Sequence, residues 1–391
     1  MGEPRSAGIE GRLHLNVLWD GRRAAGAAVR STRPLHASRV LEGRPLAEAL
    51  ARVPLLFGVC GQAQSVAAVQ AAEAALGAAP SPSARRGRTL LLLAEVMQEH
   101  LWRLWLDWPP LYGLPPAAPA FGAWRRAQAT AAAALLAAPG WRVPGGEVPA
   151  AVFAPWVDLC DEWEARLGAQ VPDPALTDPA ALGRWLQTAD ADSTRLLRAV
   201  WADGRWGASA VPLMPPMHAA LLAELLTELA ADESFAAHPH RQGQPLETGA
   251  LARRQRHPLL QALLAAEGNT LRLRVLARWL ELAAALRAMR ECLAGETADD
   301  WSGALALGGA GAAWVETARG LLLHRVALDG ERVGRCWIVA PTEWNFHPHG
   351  AFVQGMAGLA AADRDALARQ ARRLVLALDP CVAYDLELQD A

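Results

Sequence analysis

Two short apolar stretches near opposite ends of the chain each carry a single cysteine. Residues 55–61 read LLFGVCG, and residues 379–384 read DPCVAY. A helical pattern follows Cys60, so we expect its thiol at a helix N-terminus, where unpaired N–H groups and the helix dipole favour the thiolate. Pro380 ends the preceding helical pattern just before Cys381. The matched segments predict that the two ends of the chain meet, with the two sulfurs about 4–6 Å apart.

A simpler interpretation is that both cysteines are small buried hydrophobic residues, as free cysteines often are. Neither segment contains the C-x-x-C pair that is typical of a thiolate metal site. The chemistry of the residues alone therefore leaves two interpretations open, a thiol-based site and a structural role in the core.

The composition describes a large chain with ample material for a core and little net charge. Of the 391 residues 52% are hydrophobic, the 38 basic residues are all arginine, and the formal net charge is -2. Such a chain lacks the broad basic surface by which proteins bind nucleic acid or anionic membranes, so we expect neither as a partner. The cysteines are too few and too scattered for a disulfide framework and indicate a reducing cytoplasm.

Membrane insertion and export are also disfavoured by the sequence. The most apolar run, residues 90–97, is interrupted by Glu95 and is too short to span a bilayer. Charged residues precede any apolar run at the N-terminus, which is not the pattern of a signal peptide. We therefore expect a soluble cytoplasmic protein.

Two β-hairpins are predicted, one near each end of the chain. Residues 9–30 alternate between apolar and polar and turn at Asp20-Gly21, and residues 321–339 turn at Asp329-Gly330. Helical patterns dominate the rest of the chain. The sequence therefore predicts an α+β fold that is mainly helical, with small hairpins from both ends brought together.

The helical patterns are separated by proline and glycine clusters and repeat at no fixed period. Glycines at residues 308–311 indicate a flexible stretch. We expect a single domain over residues 1–391, in which residues 1–110 and 315–391 form the site and residues 111–314 form a helical middle. The clearest helical patterns span residues 46–52, 62–77, 85–105, 121–138, 180–186, 193–201, 216–231, 271–294 and 364–378.

Outside the two cysteine segments, the sequence offers few residues with obvious chemistry. Two histidine pairs, His238/His240 and His347/His349, flank prolines in predicted loops, and such pairs are occasionally metal ligands. The chain lacks the motifs G-x-x-x-x-G-K-[ST], G-x-G-x-x-G, G-x-S-x-G and H-E-x-x-H. Nucleotide-binding, serine-hydrolase and zinc-protease functions therefore have no support.

Several short motifs occur along the chain in a fixed order: IEGRL at residues 9–13, GRP at 43–45, GVC at 58–60, AAEAALG at 71–77, His100, RG at 319–320, PTEWN at 341–345 and DPC at 379–381. In this order they resemble the landmarks of the large subunit of nickel–iron hydrogenases. The resemblance covers residues 1–110 and 315–387 and leaves the middle unmatched. Each motif alone is weak, but their ordered combination is specific.

The chain departs from the hydrogenase pattern at the four-thiolate site. In that family two C-x-x-C pairs hold nickel and an Fe(CN)2(CO) unit. Here only Cys60 and Cys381 remain, because Phe57 and Tyr384 stand at the other two cysteine positions. Nickel uses all four thiolates in that family, and soft thiolates are what select such a site. The resemblance therefore implies that this chain holds no nickel.

A secondary metal site of the hydrogenase family is also altered. Its glutamate falls at Ser38 and its histidine at Glu387, so we expect no magnesium-type ion there. Glu10 is retained at the family's proton-relay position. On its own chemistry, Glu10 is equally a surface carboxylate of the first hairpin.

This combination of matches and departures resembles the HupK/HoxV type of hydrogenase accessory proteins. The resemblance implies a non-catalytic maturation factor that carries the Fe(CN)2(CO) moiety transiently. Its partners would be maturation chaperones of the HypC/HypD type and the hydrogenase large subunit. Arginine and a hydroxyl group suit cyanide nitrogens, which are anionic acceptors. The implied metal ligands are Cys60 and Cys381, and the other implied cofactor-binding residues are Glu10, Arg319, Pro341 and Thr342.

Two other functions remain compatible with the sequence. A divergent catalytic subunit of the hydrogenase type would contain nickel. A metal-free pseudo-subunit would dock chaperones or a hydrogenase partner, and its cysteines would be replaceable without consequence.

Overall fold

The computed structural model describes residues 11–34, 37–56, 59–168, 176–189, 191–232, 234–296 and 300–391. Most of these residues are helical, and two small sheets lie beside the helices, which confirms the predicted α+β class. The strands are β1 (Arg12–Trp19), β2 (Ala24–Ser31), β3 (Ser302–Ala306), β4 (Ala310–Thr317), β5 (Gly320–Asp329), β6 (Arg332–Val339) and β7 (Ala383–Asp390). The helices are α1 (Leu46–Leu56), α2 (Gly61–Leu76), α3 (Pro82–Trp102), α4 (Ala118–Ala137), α5 (Ala154–Leu167), α6 (Pro179–Thr188), α7 (Asp192–Ala202), α8 (Ala219–Ala231), α9 (Ala250–Arg254), α10 (Pro258–Glu267), α11 (Leu271–Ala294), α12 (Pro341–Asn345), α13 (Ala351–Met356) and α14 (Arg364–Leu378).

The first sheet joins the two ends of the chain in the strand order β2-β1-β7. The antiparallel pair of β1 and β2 confirms the first predicted hairpin, and Leu13, Leu15 and Val17 alternate into the core as a half-buried strand requires. The sequence did not predict β7, which runs parallel to β1 with Leu13 opposite Tyr384. This pairing fixes the segment that follows Cys381 beside the start of the chain.

The second sheet has the strand order β3-β4-β5-β6. The pair of β5 and β6 confirms the second predicted hairpin, but β3 and β4 were not predicted. The flexible stretch expected at residues 308–311 is wrong for Ala310 and Gly311, because they belong to β4, which is buried along its whole length against α2. A Cβ atom at Gly311 would lie 2.2 Å from the carbonyl oxygen of Ala71, so the glycine permits close packing there.

The main hydrophobic core is shared by both ends and the middle of the chain. Its buried residues run from Leu13 to Val382 and include side chains of α3 and α11. The bounds predicted for α11 are confirmed, and most of this helix is buried among α3, α5, α9 and α14. The middle of the chain therefore supplies a central core helix on which both ends pack.

Each cysteine segment begins or ends at a helix terminus. Cys60 is the residue before α2. The predicted bounds of α14 are confirmed, and the helix ends at Asp379, whose φ of 55° is in the left-handed region. Asparagine and aspartate tolerate this conformation better than most residues. Pro380 then prevents continuation of the helix, so the chain turns and places Cys381 beside α12.

No helix within the described residues has both the length and the apolar character needed to cross a bilayer.

Candidate functional site

The sulfur of Cys381 lies among hydrogen-bond donors. The Oγ1 atom of Thr342 is 3.0 Å from this sulfur and also accepts the backbone N–H of Cys381 at 3.0 Å. Because Thr342 Oγ1 already accepts that bond, its own hydrogen is free to point at the sulfur. Arg33 Nη1 lies 3.4 Å from the same sulfur. Thr342 and Arg33 therefore both lie within hydrogen-bonding distance of the Cys381 sulfur.

Cys60 is buried, and its thiol does not benefit from the N-terminus of α2. Its side chain makes no capping bond, because the carboxylate of Glu95 accepts the backbone N–H groups of Gln62 and Ala63 at 2.9 and 3.0 Å. Burial raises the pKa of Cys60, and Cys381 and Glu95 raise it further. The expectation that the helix terminus favours a Cys60 thiolate is therefore wrong, because the carboxylate of Glu95 occupies the N–H groups.

Gln64, which is hydrogen-bonded to His324 on the second sheet, contacts the sulfur of Cys60. Gln64 Nε2 lies 3.7 Å from the Cys60 sulfur, and Gln64 Oε1 lies 2.7 Å from Nε2 of His324 on β5. Burial lowers the pKa of His324 to about 3, so the ring is neutral and donates to Gln64. Sequence reasoning missed this pair, although a histidine within the apolar run LLLHRV of β5 is an available signal.

The two thiols interact with the same group of charged residues. Both cysteines are free, and the proximity of Cys381 raises the pKa of Cys60. Burial alone would lower the pKa of Arg33, but Cys381, Glu343 and Cys60 raise it. Arg319 also interacts electrostatically with both sulfurs. The structure thus brings together the two segments that the sequence singled out, whereas the 4–6 Å separation of the sulfurs stays a prediction.

Arg319 is held by carboxylates, and within the part of the chain that the structure describes its Nε makes no hydrogen bond. Its Nη2 lies 2.8 Å from Glu99 Oε2, and its Nε lies 3.3 Å from Asp379 Oδ1 without the alignment of a hydrogen bond. Burial alone would lower the pKa of Arg319, but Asp379 and Glu99 raise it, so the guanidinium stays charged. Arg319 is therefore a buried cation that interacts electrostatically with both sulfurs.

Asp379 is the carboxylate on which several arginines converge. Arg103 Nε lies 2.9 Å from its Oδ1, and Arg278 Nη1 lies 3.1 Å from its Oδ2. Burial alone would raise the pKa of Asp379, but Arg103, Arg319 and Arg278 hold it well below the usual range. Asp379 stands two residues before Cys381, so this cluster fixes the backbone that carries the thiol.

The middle of the chain contributes Arg278 of α11 to this cluster around Asp379. Arg278 also lies 3.2 Å from Nδ1 of His100, and His100 Nε2 lies 2.7 Å from Glu281. Burial lowers the pKa of His100 to about 4, so this ring is neutral. Sequence reasoning placed the site on residues 1–110 and 315–391 and gave the middle no role in it. The signal for this role is the presence of charged residues, Arg278 and Glu281 among them, within the apolar pattern of α11.

The other site residues predicted from the sequence have varied positions. Pro341 is buried at the start of α12, next to Thr342. Ser38 is buried and donates to the carbonyl oxygen of Cys336 at 2.8 Å, whereas Glu387 is exposed on β7. Tyr384 is 37% exposed. Glu10 and Phe57 lie outside the described residues.

The two histidine pairs, which are far apart in sequence, meet in space. The ring of His347 lies 5.7 Å from that of His238 and 5.8 Å from that of His349, measured between centroids. Within the described ranges, however, no group of three or more histidine, cysteine, aspartate or glutamate side chains is arranged to hold a metal ion. The histidines therefore provide no preformed metal site.

Solved structures of hydrogenases share this fold. The Ni-Fe-Se hydrogenase of Desulfovibrio vulgaris Hildenborough in its reduced state aligns with a TM-score of 0.58 at 19% identity, over 95% of this chain and 96% of that one. An NAD+-reducing nickel–iron hydrogenase aligns with a TM-score of 0.57 at 16% identity, over 92% of both chains. At such low identity the likeness establishes the hydrogenase large-subunit fold and nothing further.

Curated relatives cover nearly the full length at higher identity, although no protein-family model matches the chain. The hydrogenase expression/formation protein HoxV of Cupriavidus necator is 34% identical over 92% of both chains. The hydrogenase expression/formation protein HupK of Azotobacter vinelandii is 34% identical over 98% of this chain and 100% of its own. The HupV protein of Azotobacter chroococcum is 32% identical over 97% of this chain and 99% of its own. The chain therefore belongs to the HoxV/HupK/HupV family of hydrogenase expression/formation proteins.

Proposed function

We propose that this protein is a non-catalytic carrier of the Fe(CN)2(CO) moiety during assembly of a nickel–iron hydrogenase. The observation that carries the proposal is the pairing of two thiols from opposite ends of the chain with two buried cations, Arg33 and Arg319, beside them. A purely structural cysteine pair in an apolar core would not need charged donors, because burying charge costs free energy. The partners would be chaperones of the HypC/HypD type and the hydrogenase large subunit.

The charges around the thiols suit a dianionic cargo complex. Iron(II) with two cyanides and one carbon monoxide is neutral, and binding it through two thiolates releases two protons and leaves two negative charges. Arg33 and Arg319 attract these charges, although carboxylates of Glu343, Glu99 and Asp379 already pair with the two guanidinium groups. Among the described residues the Nε–H group of Arg319 makes no hydrogen bond, and it is a donor of the kind that cyanide nitrogen accepts. The hydroxyl group of Thr342 is a further donor on the Cys381 side.

The raised pKa of Cys60 suits a carrier better than a permanent holder. Metal binding to a thiol competes with protons, so affinity falls when the free thiol holds its proton tightly. Burial and the neighbouring groups make Cys60 such a thiol. Return of its proton therefore assists release of the iron unit to an acceptor.

Two thiolates also distinguish this site from a catalytic one. The positions occupied by Phe57 and Tyr384 offer no sulfur, so the soft donor set that would select nickel is missing. We expect protein isolated from a maturing host to contain iron when it contains metal, without stoichiometric nickel. Elemental analysis that finds one nickel per chain would favour the catalytic alternative.

The proposal is tested by infrared spectroscopy of anaerobically purified protein, because bound cyanide and carbon monoxide absorb where polypeptide does not. We expect Cys60→Ala and Cys381→Ala each to abolish these bands. Loss of a buried thiol should cost only about 1 kcal/mol of stability, so both variants should fold. The controls are Cys160→Ala on α5, Cys292→Ala on α11 and Cys336→Ala on β6, which should keep the bands.

The cysteine variants also separate the carrier from a metal-free docking protein. At equal yield, Cys60→Ala and Cys381→Ala should fail to support hydrogenase maturation in the host, while the three control variants support it. If all five variants supported maturation equally, the carrier proposal would fail and a docking role would replace it.

A further inference from the structure

The sulfur of Cys60 has one neutral hydrogen-bond donor beside it. Gln64 lies one turn further along α2, and its Nε2 atom is 3.7 Å from this sulfur. In the part of the chain that the structure describes, no other donor lies within hydrogen-bonding distance of the sulfur. The backbone N–H groups at the start of α2 are already bound by Glu95. The hydrogen bond to the Cys60 sulfur therefore comes from the Gln64 amide.

The direction in which the Gln64 amide points depends on its second contact. A carboxamide has a donating NH2 group and an accepting oxygen, and a half-turn of the amide exchanges their positions. Oε1 of Gln64 lies 2.7 Å from Nε2 of His324 on β5. An N–H group at this ring nitrogen donates to the amide oxygen and so directs the NH2 group of Gln64 toward Cys60.

Burial leaves the pair of Gln64 and His324 few alternatives to this arrangement. The two residues are 1% and 3% exposed, so solvent does not replace either partner. A buried polar group without a partner costs free energy, and each residue satisfies the other. Burial also lowers the pKa of His324 to about 3, so the ring is neutral and one of its nitrogens carries a proton. The pair thus supplies a donor to the sulfur without adding a charge.

The two sulfurs of the candidate site consequently have different surroundings. The Cys381 sulfur lies beside the hydroxyl group of Thr342 and the guanidinium of Arg33, whereas the Cys60 sulfur lies beside a neutral amide. Groups that hydrogen-bond to metal ligands orient those ligands and tune the metal that they hold. The orientation of the Gln64 amide therefore affects how strongly Cys60 donates electrons to a bound metal.

We propose that His324 is a positioning residue, which keeps the NH2 group of Gln64 directed at Cys60 so that this sulfur binds the iron unit as a hydrogen-bonded thiolate. His324 acts through Gln64, because its hydrogen bond goes to the amide oxygen and not to the sulfur. The role in iron binding rests on the function proposed above. Without this hydrogen bond the sulfur would donate more electron density to iron. The iron would then pass more density to carbon monoxide and weaken its C–O bond.

Infrared spectroscopy of anaerobically purified protein tests this role, because the C–O stretching band moves to lower wavenumber as iron becomes richer in electrons. We expect that shift in Gln64→Met, which removes the donor and preserves the length of the side chain. A smaller shift in the same direction is expected in His324→Phe, because the amide is then free to turn away from the sulfur. If His324→Phe does not fold, Gln64→Met still decides the outcome.

Two further variants separate positioning from a general loss of packing. His324→Gln should restore the wild-type band position, since its own amide NH2 group can donate to the Gln64 oxygen. Gln70→Met, on the same helix, is the matched control, because the Gln70 amide donates to Ser302 Oγ at 3.1 Å and not to a sulfur. This control should leave the C–O band where it is in the wild type.

A second measurement needs no iron. Nuclear magnetic resonance of protein with isotope-labelled histidine distinguishes a proton on Nε2 of the ring from one on Nδ1. We expect a neutral His324 with its proton on Nε2, and the resonance is assigned by its loss in His324→Gln. A proton on Nδ1 would overturn the inference, because Nε2 would then accept from the Gln64 amide and turn the amide oxygen toward Cys60.

An unshifted C–O band in Gln64→Met would also overturn the inference, since the Cys60 sulfur would then not depend on the amide. If no protein shows C–O bands, the wild type included, the carrier proposal fails. The proton position on His324 then still decides whether the pair is arranged as inferred. The two proposals therefore fail separately.

Discussion

Glu95 binds the two backbone N–H groups that would otherwise stabilise a Cys60 thiolate. Burial raises the pKa of this carboxyl group to about 7, although the bonds from Gln62 and Ala63 oppose the rise. A raised folded-state pKa means that the carboxyl group stabilises the fold below its unfolded-state pKa, and that this stability is lost as pH rises through about 7. Glu95 therefore makes the folded protein less stable at neutral pH than at pH 5.

We expect Glu95→Gln to remove this pH dependence. Between pH 4.5 and 7 the wild type should lose on the order of 2 kcal/mol of unfolding free energy relative to the variant, which does not ionise. The measurement is urea unfolding of both proteins at several pH values, with Glu164→Gln on the exposed face of α5 as the control for loss of one charge. A difference between wild type and Glu95→Gln that stays constant across this range would contradict the assignment.

At the scale of single residues, sequence reasoning identified Cys60, Cys381, Arg319 and Thr342, which the structure places in one region. It could not identify Arg33. This residue reaches Cys381 from a position 348 residues earlier in the chain. Such contacts depend on the register between β1 and β7, which a single sequence does not encode locally.

Among the elements, the turn between β4 and β5 carries the strictest steric requirement near the site. Gly320 has a φ of 133°, and a Cβ atom there would lie 2.0 Å from Thr248 Oγ1. The turn between β5 and β6 contains Gly330, also at positive φ, with open space around it. The two glycines therefore differ in steric contact and also in backbone conformation, because φ near 133° is less accessible to other residues than φ near 57°.

We expect Gly320→Ala to destabilise the protein by about 3 kcal/mol or more, because it adds a clash to the strained conformation. Gly330→Ala should cost only about 1 kcal/mol, since only the left-handed conformation is disfavoured. Denaturant unfolding of both variants measures the difference. Equal losses of unfolding free energy in the two variants would show that Thr248 moves aside, and that packing does not fix the turn between β4 and β5 that carries Arg319.

Sequence patterns predicted the strongly periodic elements and missed those defined by tertiary contacts. α11 and α14 have the predicted bounds because their apolar faces are continuous. β7 is polar and largely exposed, so its strand character arises only from pairing with β1. β4 begins with small residues of weak strand propensity that suit close packing on α2. In both strands the tertiary partner decides the conformation.

Across the whole molecule, Asp379 joins three distant parts of the chain through Arg103, Arg278 and Arg319. Removing one member of a buried cluster leaves charges without compensation, which costs far more than breaking an exposed pair. The pair of Arg364 and Asp390 is such an exposed pair, with Asp390 81% exposed. The two aspartates allow a matched comparison.

We expect Asp379→Asn to lower the unfolding free energy by about 3–5 kcal/mol. Asparagine tolerates the left-handed conformation of this position, so the change reports the lost charge and the lost acceptor oxygen without backbone strain. Asp390→Asn should cost about 1 kcal/mol or less. Calorimetric or urea unfolding measures the free energy of unfolding of the two variants. Similar small losses in both would mean that the arginines find other partners when Asp379 is replaced.

The central claim is that one iron atom binds to both Cys60 and Cys381. The X-ray absorption fine structure of iron in protein purified anaerobically from a maturing host tests it most directly, because it counts the sulfur neighbours of the metal. The account predicts two sulfur ligands per iron in the wild type, together with the short-bonded carbon ligands of cyanide and carbon monoxide. An iron centre with those carbon ligands and no sulfur neighbour would contradict it.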